Sequence, residues 1–167
     1  MVPSRMEWAR VVMRRLMWSL NDESGGIGWG APESMGEIMA VCNPMAREYS
    51  QILKSYLHPE RNYLEYPPLQ RGVLWAVGRL GYERPLNVRG IGIFLLPFMK
   101  TSDPFLRGLA AWAAGAVIDE PEIKLRLKRL YDDHGTLTLF RQDRLELASV
   151  GDLAHESITR IAGPQYK

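Results

Sequence analysis

Asp103-Pro104-Phe105-Leu106-Arg107-Gly108-Leu109-Ala110-Ala111-Trp112-Ala113-Ala114-Gly115 is the stretch on which a reading of the fold turns. Asp103-Pro104 opens a helix, because a proline in the first turn lacks only a donor that the helix does not use there. The small residues that follow let a second helix backbone come close, and Trp112 fills the space beside them. Related cores occur upstream, in Arg71-Gly72-Val73-Leu74-Trp75-Ala76-Val77-Gly78 and in Arg14-Arg15-Leu16-Met17-Trp18-Ser19-Leu20-Asn21. Each has Trp-x-x-(Gly or Asn) with an arginine about one turn before the tryptophan. Trp112 follows Trp75 by about 37 residues, one helix-pair period, and Trp75 follows Trp18 by about 57. The surplus falls on a glycine-rich segment and a short extra helix in the first unit.

On either side of this stretch, helical spacing and Pro/Gly punctuation predict helices over 4–20, 32–42, 44–57, 67–80, 88–99, 104–117 and 120–130. Ser4 serves as the first cap, and Gly81 ends the fourth helix. The period then changes. Thr136-Leu137-Thr138-Leu139-Phe140 and Arg144-Leu145-Glu146-Leu147 alternate with period two around Arg141-Gln142-Asp143, the pattern of a small hairpin. Ser149 caps a last helix over 150–161. The expectation is a single domain over 1–167. Its fold class is all-α, a short α-solenoid of antiparallel helix pairs closed by a small C-terminal β-hairpin.

Composition excludes several classes. At 46% apolar and 24% charged residues the chain can bury a core, which argues against disorder. A net charge of +2 is too small to imply nucleic acid by itself. The single cysteine, Cys42, forms no intrachain disulfide and fits a reducing, cytoplasmic setting. Its most apolar run, 90–99, is too short to span a bilayer and contains Pro97, so no membrane partner is expected.

The segment from Asp103 to Gly115 resembles the HEAT-repeat consensus, in which Asp-Pro opens a helix and an arginine precedes an alanine-rich face. The region from Thr136 to Ile158 resembles the closing unit of bacterial HEAT-like proteins of the phycobilisome-lyase-repeat type. More narrowly, Arg14 to Glu37 with Arg71 to Leu80 is similar to an uncharacterised group of such proteins from sulfate-reducing bacteria. The resemblance covers most of the chain and implies an armadillo-type superhelix. It carries over no catalytic residue, and nothing in the chain matches a bilin-attachment site. Helical scaffolds host many unrelated roles, so function must be argued from a site.

Two features bear on a site. The first is the segment 21–37, which places glycines at 25, 26, 28 and 30 among Asp22, Glu23, Trp29, Glu33 and Glu37. Glu33 and Glu37 lie one turn apart on one helix face. With Asp22 or Glu23 they can form an acidic ligand site, or they can meet arginines in a structural lock. The calcium-loop spacing and the Glu-x-x-His di-metal motif are both absent, so no metal is expected. The second feature is arginine beside tryptophan. Arg14/Trp18, Arg71/Trp75 and Trp75/Arg79 are i,i+4 pairs, which on stacked helices would form a basic, aromatic ridge. Arg107, five residues before Trp112, departs from this spacing.

No Walker loop, nucleophile elbow or histidine cluster is present, so no catalytic residue and no cofactor is expected. The leading expectation is a non-enzymatic scaffold or interaction protein whose partner is another protein. Its candidate binding residues are Arg14, Trp18, Asp22, Glu23, Trp29, Glu33, Glu37, Arg71, Trp75 and Arg79. Two alternatives stand beside it. One is nucleic-acid binding, with or without glycosylase-like base chemistry, on a concave helical face. The other is handling of a cofactor or small ligand by the 21–37 loop.

Overall fold

The computed structural model describes residues 4–21, 27–117 and 120–163. Helix α1 (Arg5–Leu20) starts at Ser4, whose hydroxyl accepts the Glu7 amide at 3.2 Å. Helix α2 (Ala31–Val41) starts from Gly30, at φ +74°, with Pro32 in its first turn. Helix α3 (Asn43–Ser55) begins one residue later, again on a proline. Helix α4 (Pro67–Glu83) is followed by a 3-10 turn, Pro85–Val88, then the one-turn α5 (Gly92–Leu95) and a second 3-10 turn, Phe98–Lys100. Helix α6 (Pro104–Ala114) is capped by Asp103, whose side chain accepts the Phe105 amide at 2.8 Å. Helix α7 (Pro121–Lys128), the antiparallel pair β1 (Thr136–Arg141) and β2 (Arg144–Ser149), and α8 (Val150–Ala162) complete the described chain. Ser149 and Asp152 form a reciprocal capping box at the start of α8.

Two helix predictions need correction. Gly81 does not end α4. It lies inside the helix, where Ala116 and Val88 occupy the space a side chain would need. The helix predicted over 88–99 is broken into turns. Gly90, at φ +77°, reverses the chain, and Pro97 removes a donor.

The larger correction concerns the fold class. Four helices, α2, α4, α6 and α8, pack successively side by side. Glu33 lies on Gly72 and Gly36 on Ala76, so α2 and α4 run parallel. The contacts of Arg71 with Asp103 and of Gly78 with Trp112 make α4 and α6 parallel too. These helices are joined by unlike connections: a full helix between α2 and α4, a string of turns between α4 and α6, and a short helix with the hairpin between α6 and α8. The expected short solenoid of antiparallel helix pairs, a HEAT-like superhelix, is therefore not what the chain builds. It is a mostly helical protein with eight α-helices and one two-stranded sheet among the described residues.

The tryptophans show why the repeat failed. Trp18 is 80% exposed, Trp112 is 4% exposed, and Trp75 is half-buried beneath the hairpin. Three similar sequence cores thus occupy unrelated environments. One continuous apolar core runs from Met13 in α1 to Ile161 in α8, with Met35, Met39 and Met45 wholly buried in it.

Candidate functional site

A groove of about 1150 Å³ opens over α4 and α6, walled on one side by α2 and on the other by the hairpin. The α2 wall is Glu33, Ser34 and Glu37. The Glu33 carboxylate lies flat on the α4 backbone, where a side chain on Gly72 would otherwise stand. Its Oε2 is buried and has no hydrogen-bond partner. Burial therefore pushes the Glu33 carboxyl above its ordinary value of 4.5.

On the floor, Arg71 Nη2 donates to Asp103 Oδ2 at 2.7 Å, and its guanidinium lies 4.6 Å from the centre of the Phe105 ring. Its Nε is buried and unpartnered. Burial works to raise the Asp103 carboxyl, but the Arg71 bond and the Phe105 amide prevail and hold it below its usual value. Arg79 grips Glu37 through two bonds, of 2.7 and 3.1 Å, and holds Glu83 at 3.0 Å. Further along, Tyr82 stacks on Trp112 at 5.1 Å and donates its hydroxyl to the Trp112 carbonyl. Arg160 of α8 lies 4.3 Å over the Tyr82 ring.

The hairpin wall follows from its turn. Gln142 and Asp143 have φ of +51° and +60°, a two-residue turn of the mirror-image type that matches strand twist. The register sets Phe140 opposite Leu145 and Thr138 opposite Leu147. These four share the outer face, while Leu137 and Leu139 are buried against the helices. Leu145 is 71% and Leu147 78% exposed, so the sheet is apolar on both faces. The Trp75 indole Nε1 donates to the Phe140 carbonyl at 2.7 Å, tying β1 to α4.

Five of the ten sequence candidates meet in this groove: Glu33, Glu37, Arg71, Trp75 and Arg79. Three others, Arg14, Trp18 and Trp29, do not. Arg14 pairs with Glu7 at 2.9 Å, and exposed Trp18 ends α1 away from the groove. Trp29 meets Tyr66 edge-on at 6.0 Å and is 65% exposed, outside the groove. Asp22 and Glu23 lie outside the described residues.

The basic ridge does not form, because the arginines answer carboxylates and their ring contacts are Arg71 on Phe105 and Arg160 on Tyr82. The structural lock is met in part, by Glu37 and Arg79. Among the described residues, Glu33 and Glu37 gather no third ligand, and no group of three or more such side chains is placed for a metal. Tyr82, Arg160 and the hairpin wall also line the groove, although helical spacing does not single them out. A signal for the wall existed, because a two-residue turn at Gln142-Asp143 forces Phe140 and Leu145 to share a face.

No protein-family model matches this chain, and neither a curated protein nor a solved structure matches it. The HEAT resemblance therefore gains no support from known proteins. No helix among the described residues is long and apolar enough to cross a membrane.

The unmet oxygen of Glu33 has a measurable consequence. Because its folded value is raised, any stability Glu33 contributes is in place below 4.5 and is lost as pH rises through the higher folded value. At neutral pH the ionised group is a net cost. Glu33→Gln is expected to stabilise the protein by about 1 kcal/mol at pH 7, the low end for an unmet buried polar group, because the side chain as a whole is only partly buried. Urea denaturation at pH 7 and pH 4 checks this: the gain should shrink at pH 4. A loss of stability at pH 7 would mean that the carboxylate has a partner.

Proposed function

We propose that this is a non-enzymatic interaction protein that holds a segment of another protein in the groove between α2 and the hairpin. The observation that carries the proposal is the groove itself. It has an aromatic floor of Trp75, Tyr82, Phe105 and Trp112 and a hairpin wall with Phe140 and Leu145, and exposed Leu147 extends the apolar face beyond it. Contiguous apolar surface of this kind is costly to leave in water and marks binding sites. Most charged groups around it are already matched, which suits a mainly apolar segment with few charges.

The same pairing weighs against a nucleic-acid backbone. Arg71, Arg79 and Arg141 each hold a carboxylate, so a phosphate would have to displace Asp103, Glu37 or Glu156. A cytoplasmic setting fits the lone free thiol of Cys42.

A random-peptide library displayed on phage, selected on the whole protein, tests the proposal. The controls are Leu145→Asp and Ser34→Trp, both at exposed positions lining the groove. Peptides that bind the parent and lose about tenfold or more in affinity for both variants are expected. Failure to recover any binder, or binders indifferent to both substitutions, would overturn it.

A further inference from the structure

We infer that the occupant of the groove is an extended polypeptide segment that joins the outer edge of β1 as an added strand and presents a cationic side chain to Glu33. This rests on the reading that the groove receives a partner segment, and it adds the geometry and chemistry of the union.

The edge can be identified from the register. Arg141 and Arg144 flank a two-residue turn, so they form the hydrogen-bonded closing pair. Hydrogen-bonded and non-bonded pairs alternate along an antiparallel ladder. Leu139/Glu146 and Leu137/Ala148 are then bonded pairs, whereas Phe140/Leu145 and Thr138/Leu147 are not. The main-chain groups of Thr138 and Phe140 therefore point away from β2. The bond from Trp75 to the Phe140 carbonyl shows where they point, which is toward α4 and into the groove. That bond takes one acceptor. Among the described residues, no main-chain bond from outside the hairpin reaches the amide or carbonyl of Thr138 or the amide of Phe140.

Proteins usually blunt such an edge with a lysine, a proline or a bulge. β1 carries none of these: it reads Thr-Leu-Thr-Leu-Phe-Arg and pairs with β2 in unbroken register. An added strand would lie about 4.8 Å from β1. It would set alternate side chains down on the aromatic floor, the recognition mode in which main-chain bonds supply affinity and pockets supply specificity.

Charge selects the side chain. Of the carboxylates on the α2 wall and the floor, Glu37 and Glu83 are held by Arg79, while Glu33 keeps a buried oxygen with no donor. Glu33 lines the groove, so a lysine or arginine from the segment supplies a countercharge to its carboxylate. Arg71, nearby on α4, is already neutralised by Asp103 and offers the cation little repulsion.

The test uses peptides recovered by groove-dependent selection on the whole protein. Each is synthesised with a single backbone N-methyl group at successive positions and with its cationic residue replaced by norleucine. Amide exchange of the full chain is followed by NMR. Binding should slow exchange at Thr138 and Phe140. N-methylation should weaken binding about tenfold or more at every second position and be tolerated between them. Glu33→Gln should weaken the cationic peptide by a similar factor and leave its norleucine analogue unchanged.

If groove-dependent peptides bind with Thr138 and Phe140 exchange unaltered, or tolerate N-methylation throughout, strand addition is wrong while the interaction reading stands. Indifference of cationic peptides to Glu33→Gln overturns the charge assignment. Self-association through the β1 edge that peptides cannot displace would make the occupant a second copy and overturn the proposal. Recovery of no groove-dependent peptide ends both readings.

Discussion

Gly36→Val is expected to destabilise the protein by about 3 kcal/mol, the upper range for overpacking a closed interior. A Cβ at Gly36 would stand 2.6 Å from both Cα and Cβ of Ala76. The first of these is backbone, so no rotamer change relieves the clash. Helices α2 and α4 would have to separate, and with them the buried methionines Met35 and Met39. Intrinsic helix propensity pulls the other way, since glycine costs about 1 kcal/mol relative to alanine inside a helix. Gly36→Ala should therefore be milder and still destabilising, because the steric term exceeds the propensity gain. Urea denaturation with an unchanged slope reads both variants. A stabilised Gly36→Ala would mean that the two helices lie further apart than described.

The second large effect is expected at Arg107. It grips Asp133 with bonds of 2.7 and 3.1 Å and gives a third bond to the Thr101 carbonyl at 2.9 Å. Asp133 in turn accepts the Gly135 amide at 2.9 Å, just before β1. The side chains of the pair are 17% and 18% exposed. Arg107→Met leaves Asp133 without its countercharge and Thr101 without a donor, a loss of about 3 kcal/mol. The Arg107 bond also holds the Asp133 carboxyl below its ordinary value of 3.8. Stability from a depressed carboxyl is present above 3.8 and is lost as pH falls through the lower folded value. The gap between parent and variant should thus be full at pH 6 and narrow below pH 3.8, as chemical denaturation across that range would show. A gap that stays constant through the acid range would mean the ion pair is not its source.

Local signals in the sequence located most elements. Pro32, Pro44, Pro67, Pro104 and Pro121 each sit in the first turn of a helix, where one residue's missing donor decides the boundary. The hairpin was legible from its period of two, and α8 from Ser149. The candidate site was half legible for the same reason: Glu33 with Glu37, and Arg71 with Trp75 and Arg79, share faces by helical spacing alone.

What escaped depended on tertiary neighbours. Trp18, Trp75 and Trp112 look equivalent in sequence, but a tryptophan's environment is set by what covers it. Trp112 is covered by Gly78 and Tyr82, Trp75 meets the hairpin, and Trp18 faces solvent. The apolar run 90–99 looked helical because composition does not reveal that Gly90 takes a positive φ. Arg107 broke the spacing of a supposed ridge because its partner is Asp133, which lies across a connection that no periodicity describes.

A partner segment lying in the groove over α4 would touch a particular set of indoles and amides. Titrating a groove-selected peptide into the isotopically labelled protein and mapping the NMR shifts reads that placement. The Trp75 and Trp112 indole signals and the amides of Thr138 to Leu145 should move together, with a single affinity, while Trp8 and Trp18 stay still. Shifts confined to α1 or α3, with Trp75 and Phe140 unmoved, would contradict it.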